Sequence, residues 1–124
     1  MSALTFTAPL PGLAPFVEFD LEAVDGAEGL YSLRSADEAA LRLFLLDPAI
    51  YAPDYQPRLS AAQLEPLAPG DAGVRFLLVA NPAEEGTTVN LMAPIVVNPD
   101  SGKCAQVVLE GSNWPVRAQL PLAG

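Results

Sequence analysis

Residues 16–22 read FVEFDLE, and they decide the fold. Val17, Phe19 and Leu21 alternate with Glu18, Asp20 and Glu22, the period of two that sends apolar side chains to one face of a strand and carboxylates to the other. Outward from this strand, thirteen prolines and nine glycines punctuate the chain so often that few stretches longer than ten residues are free of both. Long helices do not tolerate that spacing and short strands do. Candidate strands are Leu4 to Thr7, Phe16 to Leu21, Leu30 to Arg34, Ala40 to Leu46, Val74 to Ala80, Thr87 to Leu91, Ile95 to Asn98, Cys104 to Glu110 and Val116 to Leu120. Such a series of short runs with turns between them predicts an all-β, mainly antiparallel sandwich or barrel. Val74 to Ala80 is apolar except at Arg75, and Cys104 to Leu109 places Ala105, Val107 and Leu109 together. Both read as central strands covered on two sides.

Two places can be helical. Ser35-Ala-Asp-Glu38 matches a capping box, in which the hydroxyl and the carboxylate satisfy orphan N–H groups at a helix start. The run Leu41 to Leu46 that follows ends at Asp47-Pro48 and suits a buried strand equally well. Ser60-Ala-Ala-Gln63 repeats the box with Leu64 and Leu67 as its apolar edge, and Pro66 keeps the result to one short helix or helical turn near residues 60–67.

With 124 residues, 51% of them hydrophobic and 17% charged, the chain reads as one domain, 1–124, with a core of its own. Six basic against fifteen acidic residues leave a formal charge of -9, which disfavours direct nucleic-acid binding, since phosphates need clustered Lys and Arg. The absence of histidine removes the usual general base, the commonest metal ligand and every Ser-His or Cys-His pair, so no catalytic residue, metal or cofactor is expected. Cys104 stands alone in an apolar run and reads as a buried, inert thiol. The start, MSALTFTAPL, carries neither the basic residues nor the apolar stretch of a targeting segment, and no window approaches the ~20 apolar residues of a membrane span. A cytoplasmic, membrane-free, monomeric protein is the expectation.

Carboxylates pair at Glu18/Asp20/Glu22, Asp37/Glu38 and Glu84/Glu85, but the first set projects from one strand face instead of converging, and no calcium-loop pattern is present. Residues 18–28 hold five acids and no base, a stripe that serves either solubility or docking of a basic partner. Docking is the reading adopted here. TTVNLMAPIVVN, Thr87 to Asn98, joins two apolar runs through Met92-Ala93-Pro94 between Asn90 and Asn98, a bent strand or hairpin with a proline bulge in which each Asn caps backbone groups.

The order of PLPGL at 9–13, LYSLRS at 30–35, LFLLDP at 43–48, PDY at 53–55, TTVNLMAPIVVN at 87–98 and QVVLEGSNWPVRAQL at 106–120 resembles the flagellar assembly factor FliW family, from Leu4 to Leu122. NLMAPIVVN is its most specific piece. The chain departs from the family pattern at Leu13, where an aromatic is usual, at Arg34 for a Gln, and at Asp47 for an Asn; it also begins almost at the Pro-Gly step, so a shorter N-terminal barrel edge is expected.

The resemblance implies an antiparallel, barrel-like β-domain that binds proteins and is no enzyme. Its implied partners are flagellin and the dimeric RNA-binding regulator CsrA, whose repression of flagellin translation it relieves when flagellin is exported. It also implies that residues 40–46 form a strand, against the capping box at Ser35. Glu18, Asp20, Glu22, Asp47, Tyr55, Asn90, Met92, Pro94 and Asn98 are the residues expected to make or shape partner contact. Asn90, Pro94 and Asn98 shape the backbone, and Met92 is expected to touch a partner.

Overall fold

In the computed structural model, which describes residues 2–70, 73–84, 86–109 and 114–120, each of the expected runs carries a strand. In order they are β1 Ser2–Phe6, β2 Glu18–Ala23, β3 Leu30–Ser35, β4 Arg42–Leu46, β5 Arg75–Ala83, β6 Gly86–Val89, β7 Ile95–Val97, β8 Lys103–Gln106 and β9 Ala118–Gln119. Hydrogen bonding runs β4-β3-β2-β1-β8-β7-β5, and β5 pairs back onto β4 through Phe44↔Ala80, Leu45↔Val79 and Leu46↔Leu78. Seven strands therefore close into a barrel, which removes the sheet edges that a small β-domain would otherwise expose. All described pairings are antiparallel except β1 with β8.

Alternation sorts the side chains into three apolar groups. Leu4, Phe6, Phe19, Leu21, Leu33, Leu45, Leu77, Ile95, Val97 and Cys104 fill the barrel, with Phe6 and Phe19 edge to face at 5.3 Å between ring centres. Their strand neighbours face outward and are covered. Leu46, Leu78, Ala80, Val89 and Ala118 form a second cluster where β6 and β9 fold over the outside of β4 and β5. Leu67, Val96 and Val107 form a third, packed by Leu59, Phe76 and Ala105. Leu77 and Leu78 are adjacent, fully buried and in different clusters, so β5 is covered on both sides, as its continuous apolar run predicts. The outer face of β2 is left to solvent, with Glu18 and Glu22 exposed and Asp20 half-buried.

The short helix expected near residues 60–67 is present, and a second short helix joins it. The Ser60 box forms: its hydroxyl accepts from Gln63 N, the Gln63 amide oxygen accepts from Ser60 N, and α2 Ala61–Leu64 runs into a 3-10 turn, Glu65–Leu67. A second helix, α1 Pro48–Tyr51, follows Asp47, whose carboxylate accepts from Ala49 N at 2.9 Å. Aspartate before a proline is a good N-cap followed by a good first position, and it is this step that ends β4. At Ser35 the hydroxyl accepts from Asp37 N and Glu38 N, yet no helix forms. The chain turns and leaves as β4, because Leu43 and Leu45 supply barrel core.

Strand lengths also differ. The first strand face begins at Glu18, not Phe16; β8 ends at Gln106; and β9 keeps two residues of the Val116 to Leu120 run. Glu110 lies outside the described residues.

Candidate functional site

The segment Asn90 to Pro94 interrupts one edge of β5. Val89 pairs with Ala80 and Ile95 with Leu77, so five residues span a gap that two cover on β5. An excess of three must leave the ladder, and its backbone groups need partners. Asn90 N donates to Val79 O and Leu91 N to Pro115 O. Met92 N and Ala93 N both donate to the Asn90 side-chain oxygen at 3.0 Å. Pro94 has no N–H to satisfy. On the acceptor side, the Tyr55 hydroxyl donates to Leu91 O at 2.6 Å, Leu109 N to Met92 O, the Gln106 amide to Ala93 O, and Val107 N to Pro94 O. The N–H groups of residues 90–93 and the carbonyls of residues 91–94 are thus all bonded, with Pro94 buried and Met92 half-buried.

Tyr55 ties this bend to α1 and the acidic turn. Its ring meets Trp114 edge to face at 4.8 Å, and burial pushes its phenol well above the ordinary range. Upstream, Asp47 N donates to Gly29 O and the Tyr51 hydroxyl to Glu28 O, which tie α1 to the β2–β3 turn, while Ala52 N donates to Pro48 O and Tyr55 N to Ala52 O, which link α1 through Tyr55 to the bend. Two valines beside the bend are open to solvent, Val108 at 50% and Val116 at 59% exposure, enough to make apolar area available next to Met92.

Asp47, Tyr55, Asn90 and Met92 therefore belong to one connected region. Asn98 does not. It sits at the far end of β7, 5% exposed, where its amide donates to Leu67 O and Ala68 O and its oxygen accepts from Asp100 N and Ser101 N. Both asparagines cap backbone, as the bent-strand reading of TTVNLMAPIVVN requires.

Glu18, Asp20 and Glu22 occupy a separate face. Glu18 accepts from the Thr5 hydroxyl at 3.0 Å, and Asp20 stands directly across from Arg34 on β3, which in turn faces Arg42 on β4. Arg42 lies 5.0 Å over the Phe44 ring. The acidic stripe is flanked by a basic pair that sequence reading did not place beside it; strand pairing alone brings Arg34 there. Trp114 and Gln106, both in the block QVVLEGSNWPVRAQL, carry no local sequence signal for their contacts with Tyr55 and Ala93 O.

The family model "FliW protein" matches residues 1–120. The chain belongs to the FliW family. The FliW relative "Flagellar assembly factor FliW" of Treponema denticola is 30% identical over 91% of this chain and 83% of its own length. That of Syntrophus aciditrophicus is 37% identical over 68% of this chain and 55% of its own. The crystal structure of the flagellar assembly factor FliW superposes with a TM-score of 0.87 at 29% identity, covering 94% of this chain and 84% of that one. The curated FliW relatives are named assembly factors, not enzymes.

Proposed function

We propose that this chain is a cytoplasmic, partner-switching factor of flagellar assembly. It binds flagellin, and when export empties the flagellin pool it binds CsrA and relieves CsrA's repression of flagellin translation. The observation that carries the reading is the FliW family match across residues 1–120, together with the shared barrel. The chemistry is compatible: a chain of charge -9 with carboxylates along one open strand face suits a basic RNA-binding protein, and the apolar rim of the bend suits a less charged partner. A carboxylate-based hydrolase would need two carboxyl groups ~5–10 Å apart across a cleft. Glu18, Asp20 and Glu22 instead stand side by side on the outside of the barrel. The test is capture of the purified chain on immobilised CsrA with increasing free flagellin. Capture that declines as flagellin is added is the expected result; no binding to either protein overturns the proposal.

A further inference from the structure

We infer that Asp25 is a modification site, where the folded chain converts its own aspartate to isoaspartate through a cyclic imide with Gly26 and so comes to accept a methyl group from an isoaspartyl carboxyl methyltransferase. Asp25-Gly26 is the only Asp-Gly step in the sequence, and no Asn-Gly step accompanies it. The glycine matters because the attacking atom is its own backbone nitrogen, and without a Cβ beside it nothing shields the approach to the carboxyl. Between β2 and β3 the chain turns at Val24 to Ala27, with Gly26 at φ +79 and a turn bond from Ala27 N to Val24 O at 3.3 Å. Asp25 and Gly26 are both exposed, and no atom beyond the chain neighbours comes within 4 Å of the place a Gly26 Cβ would take. Among the described residues Gly26 N donates to no protein group and the Asp25 carboxylate accepts from none, so neither reacting group is held away from the other.

The step balances with water alone. Gly26 N attacks Cγ of the protonated Asp25 carboxyl, the N–Cγ bond forms as a Cγ–O bond breaks, and the hydroxyl leaves as water with the amide proton. A second water opens the imide. Addition at Cγ restores aspartate, whereas addition at the former main-chain carbonyl breaks its bond to Gly26 N, so that the chain runs through Cβ and Cγ and the α-carboxylate becomes the side group. The charge of the acidic stripe is unchanged, and the turn gains one backbone carbon. Asp100, which also precedes a small residue and is also exposed, stands in contrast. Its neighbour Ser101 N donates at 3.3 Å to the side-chain oxygen of Asn98, which also accepts from Asp100 N, and Asn98 is itself 5% exposed. Attack by Ser101 N would break that bond. Asn81 and Asn98 precede prolines, which have no N–H to attack with. The inference rests on none of the partner assignments.

The experiment incubates the folded full chain at neutral pH and follows labelled methyl transfer from S-adenosylmethionine by a purified isoaspartyl methyltransferase, with peptide mapping to place the label. The peptide carrying Asp25-Gly26 is expected to split into two forms of equal mass, one of which accepts methyl and resists a protease that cleaves before aspartate. Asp25→Glu keeps the charge but would need a larger imide ring, so methyl acceptance should be lost. Asp25→Asn should form the same imide with loss of ammonia and yield isoaspartate faster than the parent. Both substitutions fall on an exposed turn residue and leave the core untouched. The denatured chain is the reference: the ratio of folded to denatured rate should be higher at Asp25 than at Asp100, since the amide that follows Asp100 is bonded in the fold. No methyl acceptance in the incubated parent, undiminished acceptance in Asp25→Glu, or equal ratios at the two aspartates would overturn the assignment.

Discussion

The two asparagines of the TTVNLMAPIVVN segment differ in which half of the carboxamide is used. Asn90 acts through its oxygen alone, accepting two N–H groups, whereas Asn98 uses both oxygen and nitrogen. Asn90→Ala should cost about 1–3 kcal/mol by leaving bend donors unpaired, and Asn90→Asp should stay close to the parent because the acceptor remains. Asn98→Asp, by contrast, should cost at least as much as Asn90→Ala, since a buried carboxylate would face two carbonyl oxygens. Denaturant unfolding of the three variants checks the pattern, and equal tolerance of both Asp substitutions would refute it. Cys104 supplies a second residue-scale test. Burial, with a smaller contribution from Glu18, pushes its thiol from 9.0 up to about 12. The unfolded chain loses this proton first, so the stabilising contribution is complete below about pH 9 and fades as pH rises toward 12. Stability measured from neutral to alkaline pH should fall more steeply in the parent than in Cys104→Ala. Parallel curves would show that the thiol does not contribute.

Among elements, β2 was the most legible in the sequence and β9 the least. The alternation of FVEFDLE survives because one face of β2 meets core and the other meets water. β9 keeps only the two residues that reach β6, through Thr88↔Gln119 and Val89↔Ala118, and no periodicity announces such a length. Asp47-Pro48 carries two signals at once, since the step that stops β4 also caps and starts α1, and a stop alone does not announce the helix behind it. The nature of the acidic face also depended on pairing: Asp20 faces Arg34, so the stripe borders a basic strip. Replacing Glu18, Asp20 and Glu22 with their amides should slow association with CsrA and flatten its salt dependence, while dissociation changes less. Flagellin association should change less. Stopped-flow binding at two ionic strengths, with parent and triple variant against each partner, is the measurement. Identical rates and salt slopes would make the face solvated surface only.

For the whole molecule, closure at two seams turns a string of hairpins into a barrel. One seam is β4 with β5; the other is the parallel contact of β1 with β8, where Thr5 N donates to Gly102 O and Thr7 N to Cys104 O. Gly102 has φ +81, and a Cβ there would lie 2.6 Å from Ala3 O, a backbone atom that cannot swing aside. Gly102→Ala should therefore destabilise by about 1–3 kcal/mol and speed hydrogen exchange at the Thr5 and Thr7 amides more than at those of β3. Uniform exchange across the sheet would show that this seam does not hold the barrel shut.

By itself the sequence determined the all-β class, the approximate place of each strand, the Ser60 cap and the backbone role of both asparagines. Each of these rests on alternation, turn chemistry or a side chain satisfying groups within a few residues, which are local in the chain; for Asn98 that holds of its oxygen, whereas its amide reaches Leu67 O and Ala68 O. Only the tertiary structure decided that seven strands close, that β1 meets β8 in parallel, that Tyr55 caps a carbonyl 36 residues away, and that Arg34 flanks an acidic face. Those contacts join distant segments, and they are selected by the requirement that every outward apolar row and every displaced backbone group find a partner at once.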